Sequence, residues 1–352
     1  MKVTAKMIAE ELGISTATVD RVLNNRKGVS EKNIHIVKQK AKELGYQPNR
    51  AAKFLSTQKV VRVAFILPVF PDYFWNELEM EIKEAASLYA DFGFQTDVHR
   101  IHTIPQNDQL DYMEELIEQD KYQAFVIAPH DAKPTESVIN KAMDKNIPVF
   151  TINTDVPDSQ RIAYVGSDYY DAGYLAGELI YLFQKDLSNM VLIREKENTF
   201  QMQQKENGFL DFFKEKRMEN KVQIVKYNKS AYIQKEQVGE LLHDHKELFN
   251  QSEAVYVAGG IIDELQKYWF FSKKTHIIIG HDINQTIYNA INKGVITATI
   301  CQDPMAQAAI TLKKLTKYFL DENVTELDNH IVKLEIVTRA NAKYYLKNTK
   351  SD

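Results

Sequence analysis

From Val60 onward, short continuous aliphatic runs alternate with stretches of helical periodicity, and this alternation limits the chain to few folds. The runs are Val61–Leu67, Ala124–Ala128, Pro148–Ile152, Met190–Ile193, Val222–Val225, Ala254–Ala258, Ile277–Gly280 and Thr297–Ile300. A strand that is apolar along its whole length must be covered on both faces, which is the situation of a parallel sheet flanked by helices. So many runs exceed one sheet of ordinary size, so two α/β lobes are expected. Their ligand would bind in the crevice beyond the carboxyl ends of the strands, between the lobes.

The first 60 residues are of another kind. They hold 12 Lys/Arg against 5 Asp/Glu, a net charge of +7, while the whole chain of 352 residues is at −4 and the remainder therefore at −11. A basic head can neutralise phosphates, and an acidic body should not bind them. Thr4 is placed to cap a helix containing Ile8 and Leu12 that ends at Gly13. Ser15 caps a second helix running to about Asn24, with Ala17, Val19, Val22 and Leu23 as packing groups and Thr16, Asp20 and Arg21 facing outward. Ser30 caps a third, through Ile34, Val37, Ala41 and Leu44, which stops at Gly45. Three short helices with tight turns suit a helix-turn-helix unit, whose second helix reads base edges from its amino-terminal end.

Residues 3–57 resemble the DNA-binding headpiece of the lactose-repressor (LacI/GalR) family. The resemblance lies in Ser15-Thr16-Ala17-Thr18-Val19, Arg21-Val22-Leu23-Asn24, Val29-Ser30-Glu31 and Glu43-Leu44-Gly45-Tyr46-Gln47-Pro48-Asn49. It implies that Thr16 and Ala17 occupy base-reading positions, that Arg21 reaches a base or phosphate farther along, and that Tyr46 packs near the DNA backbone. Thr4, Ser15, Thr18, Asn24, Asn49 and Lys53 complete the implied DNA-binding set. One position departs: the family usually has Ser where this chain has Asp20, and a carboxylate facing phosphate is repelled. Asp20 would instead orient Arg21 or accept from a cytosine amino group. The segment after Pro48 matches the family's hinge helix, which orders on DNA in a dimer. The resemblance implies that Leu55 is its minor-groove wedge, with Phe54 where a small polar residue is usual.

The body resembles the type I periplasmic sugar-binding fold that this regulator family carries, clearest in the ribose-binding-like branch. The stretches are Tyr164-Val165-Gly166-Ser167-Asp168 with Asp171-Ala172-Gly173-Tyr174-Leu175-Ala176-Gly177, Ile279-Gly280-His281-Asp282, and Ile300-Cys301-Gln302-Asp303-Pro304. The implied architecture is a helix-turn-helix headpiece at 1–47, a hinge at 48–59, a core of two Rossmann-like parallel-sheet lobes at 60–346, and a tail at 347–352. The lobes would comprise 60–166 with 303–331, and 167–302 with 332–346. The implied effector-binding candidates sit at strand ends: Phe70, Asp72, Tyr73, Phe74 and Trp75 after the first strand, then Asp131, Asn153, Asp155, Asp282 and Gln302. Asn153 stands where sugar binders often have Asp, and Lys205 lies near a position that often carries Arg, with Gln203 as the neighbouring choice.

Other chemistry finds little support. Gly259-Gly260 lacks dinucleotide-binding spacing, and there is no phosphate-cradling GKS/GKT loop. His99/His102 and His243/His245 have no cysteine cluster or HExxH beside them, so neither metal nor other cofactor is expected. No nucleophile–base–orienter set can be assembled, so the chain is not expected to be an enzyme. The single cysteine, Cys301, excludes an intramolecular disulfide framework, and Asn228-Lys229-Ser230 reads as a coincidental glycosylation match. The charged amino terminus is unlike a signal peptide, and no apolar run reaches the ~18 residues of a membrane span. The expectation is a cytoplasmic, ligand-responsive repressor of a carbohydrate-utilisation operon. It would act as a homodimer on a pseudo-palindromic operator, dimeric because no leucine-heptad tail follows Leu346, with a sugar or sugar derivative as effector. The rival expectation is a periplasmic-type solute-binding protein for transport or chemoreception.

Overall fold

The computed structural model describes residues 3–23, 26–46, 60–102, 108–197, 199–232, 234–269, 276–320 and 327–346. The chain divides into two compact units, Met1–Lys59 and Val60–Asp352.

The first unit contains α1 (Ala5–Leu12), α2 (Thr16–Leu23) and α3 (Glu31–Glu43). Each helix starts where a hydroxyl can accept an orphan backbone N–H. The Thr4 hydroxyl accepts from Met7 N at 3.3 Å, Ser15 from Thr18 N at 3.1 Å and Ser30 from Asn33 N at 3.4 Å. Gly13, at φ 64°, ends α1 in the left-handed region that glycine enters without strain. Ile8, Ala9, Val19, Val22 and Val37 are the buried core. Ala17 is exposed and lies outside that core, which corrects its expected packing role. Along a 3.6-residue helix it falls on the side of Thr16 and Arg21, away from Val19 and Val22.

Among the described residues, the second unit holds two six-stranded sheets. The first is formed by β1 (Val61–Pro68), β2 (Phe94–Ile101), β3 (Ala124–Ile127), β4 (Val149–Asn153), β5 (Ala163–Gly166) and β11 (His330–Ile331). The second is formed by β6 (Met190–Glu195), β7 (Val222–Tyr227), β8 (Ala254–Val257), β9 (Ile277–His281), β10 (Ala298–Cys301) and β12 (Glu335–Val337). Their orders, β11-β5-β4-β3-β1-β2 and β12-β10-β9-β8-β6-β7, are the same topology used twice. All pairings are parallel except β10 with the antiparallel β12. The connecting helices are α4 (Asp72–Ser87), α5 (Asp108–Glu118), α6 (Ala132–Asp144), α7 (Tyr169–Phe183), α8 (Phe200–Glu215), α9 (Glu236–Asp244), α10 (Lys246–Gln251), α11 (Ile262–Leu265), α12 (Gln285–Asn292) and α13 (Pro304–Leu320). The chain passes from the first sheet to the second after β5, returns after β10 into α13, which packs on α4, and passes over again between β11 and β12.

Strands β3, β4, β5, β6, β8 and β10 are buried at every residue. β2 is not: after Phe94 it is half-buried or exposed, as an edge strand can be, and its sequence Phe-Gln-Thr-Asp-Val-His-Arg-Ile has no aliphatic run. Close helix packing is set by glycine. A Cβ on Gly173 of α7 would stand 2.0 Å from Lys205 O, and one on Gly208 of α8 would stand 2.0 Å from Tyr170 O. The absence of both lets the two backbones touch, and this fixes where α8 presents Lys205.

Candidate functional site

Two surfaces gather the candidate residues. On α2, Thr16, Ala17 and Arg21 are exposed, while Thr18 is half-buried and its hydroxyl lies 2.8 Å from that of Ser15. Thr4 and Ser15 spend acceptor capacity on capping but remain exposed. Asp20 pairs with Arg26, beyond the helix end, at 3.4 Å. Tyr46 is half-buried against the head's core, and burial followed by the Asp20 charge raises its phenol pKa. Asn24, Asn49, Lys53 and Leu55, with Phe54, lie outside the described residues.

The second surface is a cleft where the carboxyl ends of both sheets meet. Of the sequence candidates it brings together Phe70, Phe74, Trp75, Asn153, Lys205, Asp282 and Gln302. Phe74 and Trp75 are buried, perpendicular to each other at 5.0 Å between ring centroids, and the indole N–H donates to Phe70 O at 3.0 Å. Gln302 is the hub. Its Oε1 accepts from Asn153 Nδ2 at 3.3 Å and lies 3.2 Å from the Tyr169 hydroxyl, its Nε2 donates to Asp282 Oδ2 at 3.1 Å, and its own carbonyl accepts from Gln307 Nε2 at 2.7 Å. Asn153 and Asp282 end β4 and follow β9, equivalent strands of the two sheets. Both take positive φ, 64° and 59°, a region that Asn and Asp tolerate better than most residues. The Tyr164 and Tyr169 hydroxyls both donate to Asn153 O, at 2.7 and 2.6 Å, holding that backbone in place.

The electrostatics is that of buried, mutually compensating charge. Lys205 is 1% exposed; its ammonium donates to Ala258 O at 2.9 Å and stands 5.4 Å over the Tyr169 ring. Burial lowers its pKa to about 8, opposed by Asp282 and Glu195. Burial raises Asp282 to about 6, opposed by Lys205 and the Gln302 hydrogen bond. Facing them, Lys229 makes an ion pair with Glu195 at 3.4 Å and reaches His130 Nδ1 at 2.7 Å. Burial, then the Lys229 charge, pushes His130 down to about 3, so it faces Lys229 as a neutral acceptor. His130 follows a strand of the first sheet and Lys229 a strand of the second, so this contact bridges the cleft.

Four candidates are not part of that lining. Asp155 is buried in an ion pair with Arg161, whose Nη2 lies 2.6 Å from its Oδ2, and accepts from Thr151 Oγ1 at 2.7 Å and Val156 N at 2.8 Å; its capacity goes to securing the loop after β4. Asp131 caps α6, accepting from Lys133 N at 3.3 Å. Asp72 is exposed at the start of α4, and Tyr73, one helical step before Phe74, packs against the core of the second sheet. Conversely His130, Glu195, Gln201, Lys229 and His281 line the cleft and were missed. His130 is the immediate neighbour of Asp131, so the strand end was the right place but the residue was off by one. Glu195 sits at the end of a strand that outlasts its aliphatic run, and nothing local marks it or Lys229. Among the described residues, no group of three or more His, Cys, Asp or Glu could hold a metal ion, and no helix is long and apolar enough to cross a membrane.

Fold and site define a two-lobed ligand-binding core with a helix-turn-helix head. The chain belongs to the periplasmic binding protein domain family, which it matches over residues 63–322, and residues 4–49 match the bacterial regulatory proteins of the lacI family. Catabolite control protein A of Staphylococcus epidermidis is 26% identical over 196 residues, 55% of this chain and 56% of that protein. The chain thus spans about half the length of the curated relatives it matches. Among solved structures, a putative LacI transcriptional regulator from Bacteroides fragilis superposes with a TM-score of 0.73 at 18% identity, over 82% of this chain and 100% of that one. A solute-binding protein of an ABC transporter from Burkholderia graminis, in complex with D-arabinose, gives 0.71 at 17%, over 82% and 99%.

Proposed function

We propose that this protein is a ligand-responsive, sequence-specific DNA-binding transcriptional regulator, acting as a repressor of a carbohydrate-utilisation operon. The observation that carries the reading is the capped lacI-family head, which turns Thr16, Ala17 and Arg21 outward on one side of α2 while its aliphatic side is buried. Small side chains let a helix enter the major groove, and a guanidinium at its far end suits a guanine edge or a phosphate. Two such heads of a homodimer would grip a pseudo-palindromic operator in the bacterial cytoplasm, with Leu55 as the wedge.

The effector is a small polyhydroxylated molecule, a sugar or sugar derivative. Asn153, Gln302, Asp282 and Lys205 offer hydrogen-bond donors and acceptors beside the Phe74 and Trp75 rings, and a neighbour of the same fold carries D-arabinose. An occupant would substitute its hydroxyls for the direct Asn153–Gln302 and His130–Lys229 contacts, and so change the balance of lobe arrangements. Coupling to DNA requires only that one arrangement favours operator binding. No step of this reading transforms the ligand. The test is a thermal-shift screen of monosaccharides and their derivatives, followed by fluorescence anisotropy of operator DNA with each hit. A change in operator affinity with at least one hit supports the proposal. The same affinity with every ligand that binds would refute it.

A further inference from the structure

A second cavity of about 330 Å³ lies beside the cleft and shares two wall residues with it, Phe74 and Asp282. Its remaining wall comes from the start of α4, the start of α13, the end of β10, β12 and the carboxyl-terminal segment that includes Tyr344 and Tyr345. That wall has one consistent character. Tyr73, Phe74, Tyr344 and Tyr345 supply aromatic surface; Glu77, Asp282, Asp303 and Glu335 supply carboxylates; and among the described residues no Lys, Arg or His lines it. The negative charge is felt inside the cavity: burial first, and then Asp282, Glu335 and Glu77 among its neighbours, raises the Cys301 thiol far above its ordinary value.

A second observation points to an occupant. Asp282 gives Oδ2 to Gln302, but its Oδ1 is buried and has no hydrogen-bond partner among the described residues. A buried carboxylate oxygen without a hydrogen-bond partner is costly, and a second cation beside it, in addition to Lys205, lowers that cost. A metal ion does not answer the description, since no three of these carboxylates converge as ligands. Aromatic faces with diffuse negative charge are instead the environment that holds ammonium groups. The Tyr344 ring already takes one, the Lys343 ammonium at 5.0 Å.

We propose that this cavity is a binding site for a small organic cation, a quaternary ammonium or protonated amine, separate from the cleft ligand. The occupant's charge sits among Asp282, Glu77 and Glu335, and its alkyl groups lie on the tyrosine and Phe74 rings. The wall is built from elements of both sheets, so this occupant, like the cleft ligand, responds to their arrangement.

The test is isothermal titration of the full chain with choline chloride at constant ionic strength. The control is the uncharged isostere of choline in which carbon replaces nitrogen. The site predicts one choline per chain, bound at least about tenfold tighter than the isostere, because removing the charge removes both the carboxylate and the ring attraction. Glu77→Gln combined with Glu335→Gln lowers choline affinity at least about tenfold and leaves isostere binding unchanged. Should the double variant fail to fold, Glu335→Gln alone, at an exposed position of an edge strand, still weakens choline selectively. No detectable choline binding, equal binding of choline and isostere, or variants that bind choline like the unaltered protein would each overturn the proposal. Operator DNA is absent from the assay, so its outcome is independent of the regulator reading.

Discussion

The head and the core solve the same packing problem on very different scales. Among the described residues, five buried side chains hold three helices in the head, and the apolar groups packed against them are only half-buried. The core has two sheets with strands buried end to end, and helices that touch backbone to backbone. A unit as small as the head is marginal alone, whereas the larger core buries charged groups such as Lys205 and Glu195 in its cleft. The head therefore carries its function on the outside and the core carries it inside. The electrostatics follows: the head's charges are largely solvated, while the cleft holds Lys205 at about 8 and Asp282 at about 6.

The largest expected effect sharpens the core side of this contrast. Gly173→Ala forces a Cβ onto the Lys205 carbonyl, where backbone must move, and should lower core stability by about 3 kcal/mol or more. Calorimetry would show a depressed core transition and, if Lys205 is displaced, weaker ligand binding. Normal core stability in that variant would mean that α7 and α8 are not packed this closely. On the head side, Val19→Ala leaves a hole in a five-residue core and should cost about 2 kcal/mol. Operator binding should fall while the melting of the core stays unchanged; a shift of the core transition would contradict independent units.

Arg21→Ala should weaken operator binding by about 1–3 kcal/mol and flatten its salt dependence, measured by anisotropy across a salt series, with both units equally stable. Leu55→Ala, outside the described residues, should weaken operator binding more than ligand binding.

In the cleft the pH dependence has a definite sign. Asp282 is raised above its unfolded value of about 4, so the native state holds the proton more tightly, and stability from this group falls as pH rises from about 4 to about 6. Asp282→Asn should flatten the stability profile in that window. Lys205 runs the opposite way: it is lowered from about 10.5 to about 8, so stability from this group rises with pH between those values. Because the Lys205 charge holds Asp282 down, Lys205→Met should move the Asp282 midpoint above 6, read by carboxylate-selective NMR. The smallest effect belongs to Asp20→Ser. Its pair with Arg26 is solvent-exposed, so stability should change by less than about 1 kcal/mol. DNA affinity should rise, because a carboxylate is removed from the phosphate-facing module.

This division also explains what could be read from sequence. Capping hydroxyls and stop glycines act over three or four residues, so Thr4, Ser15, Ser30 and Gly13 were legible. Buried parallel strands announce themselves by aliphatic runs. The edge strand β2 and the two- and three-residue strands β11 and β12 do not, because they have little to bury. Ala17 was misread because alanine is compatible with either side of a helix. Within the cleft, Asn153, Asp282 and Gln302 sit at strand ends in recognisable motifs. Asp155 and Asp131 sit in similar places, and only the position of Arg161 and the geometry of the α6 start show that they are already engaged. Lys229 and His130 lie about a hundred residues apart and meet only because the same topology is used twice.

The most direct test of the account is reciprocal titration of the full chain. Operator affinity would be measured without and with saturating cleft ligand, and ligand affinity without and with saturating operator, in one buffer at one salt concentration. The account predicts that both affinities change by the same factor, since one coupling free energy connects the two sites. A ligand that binds the cleft and leaves operator affinity unchanged, with operator leaving ligand affinity unchanged in turn, would contradict it.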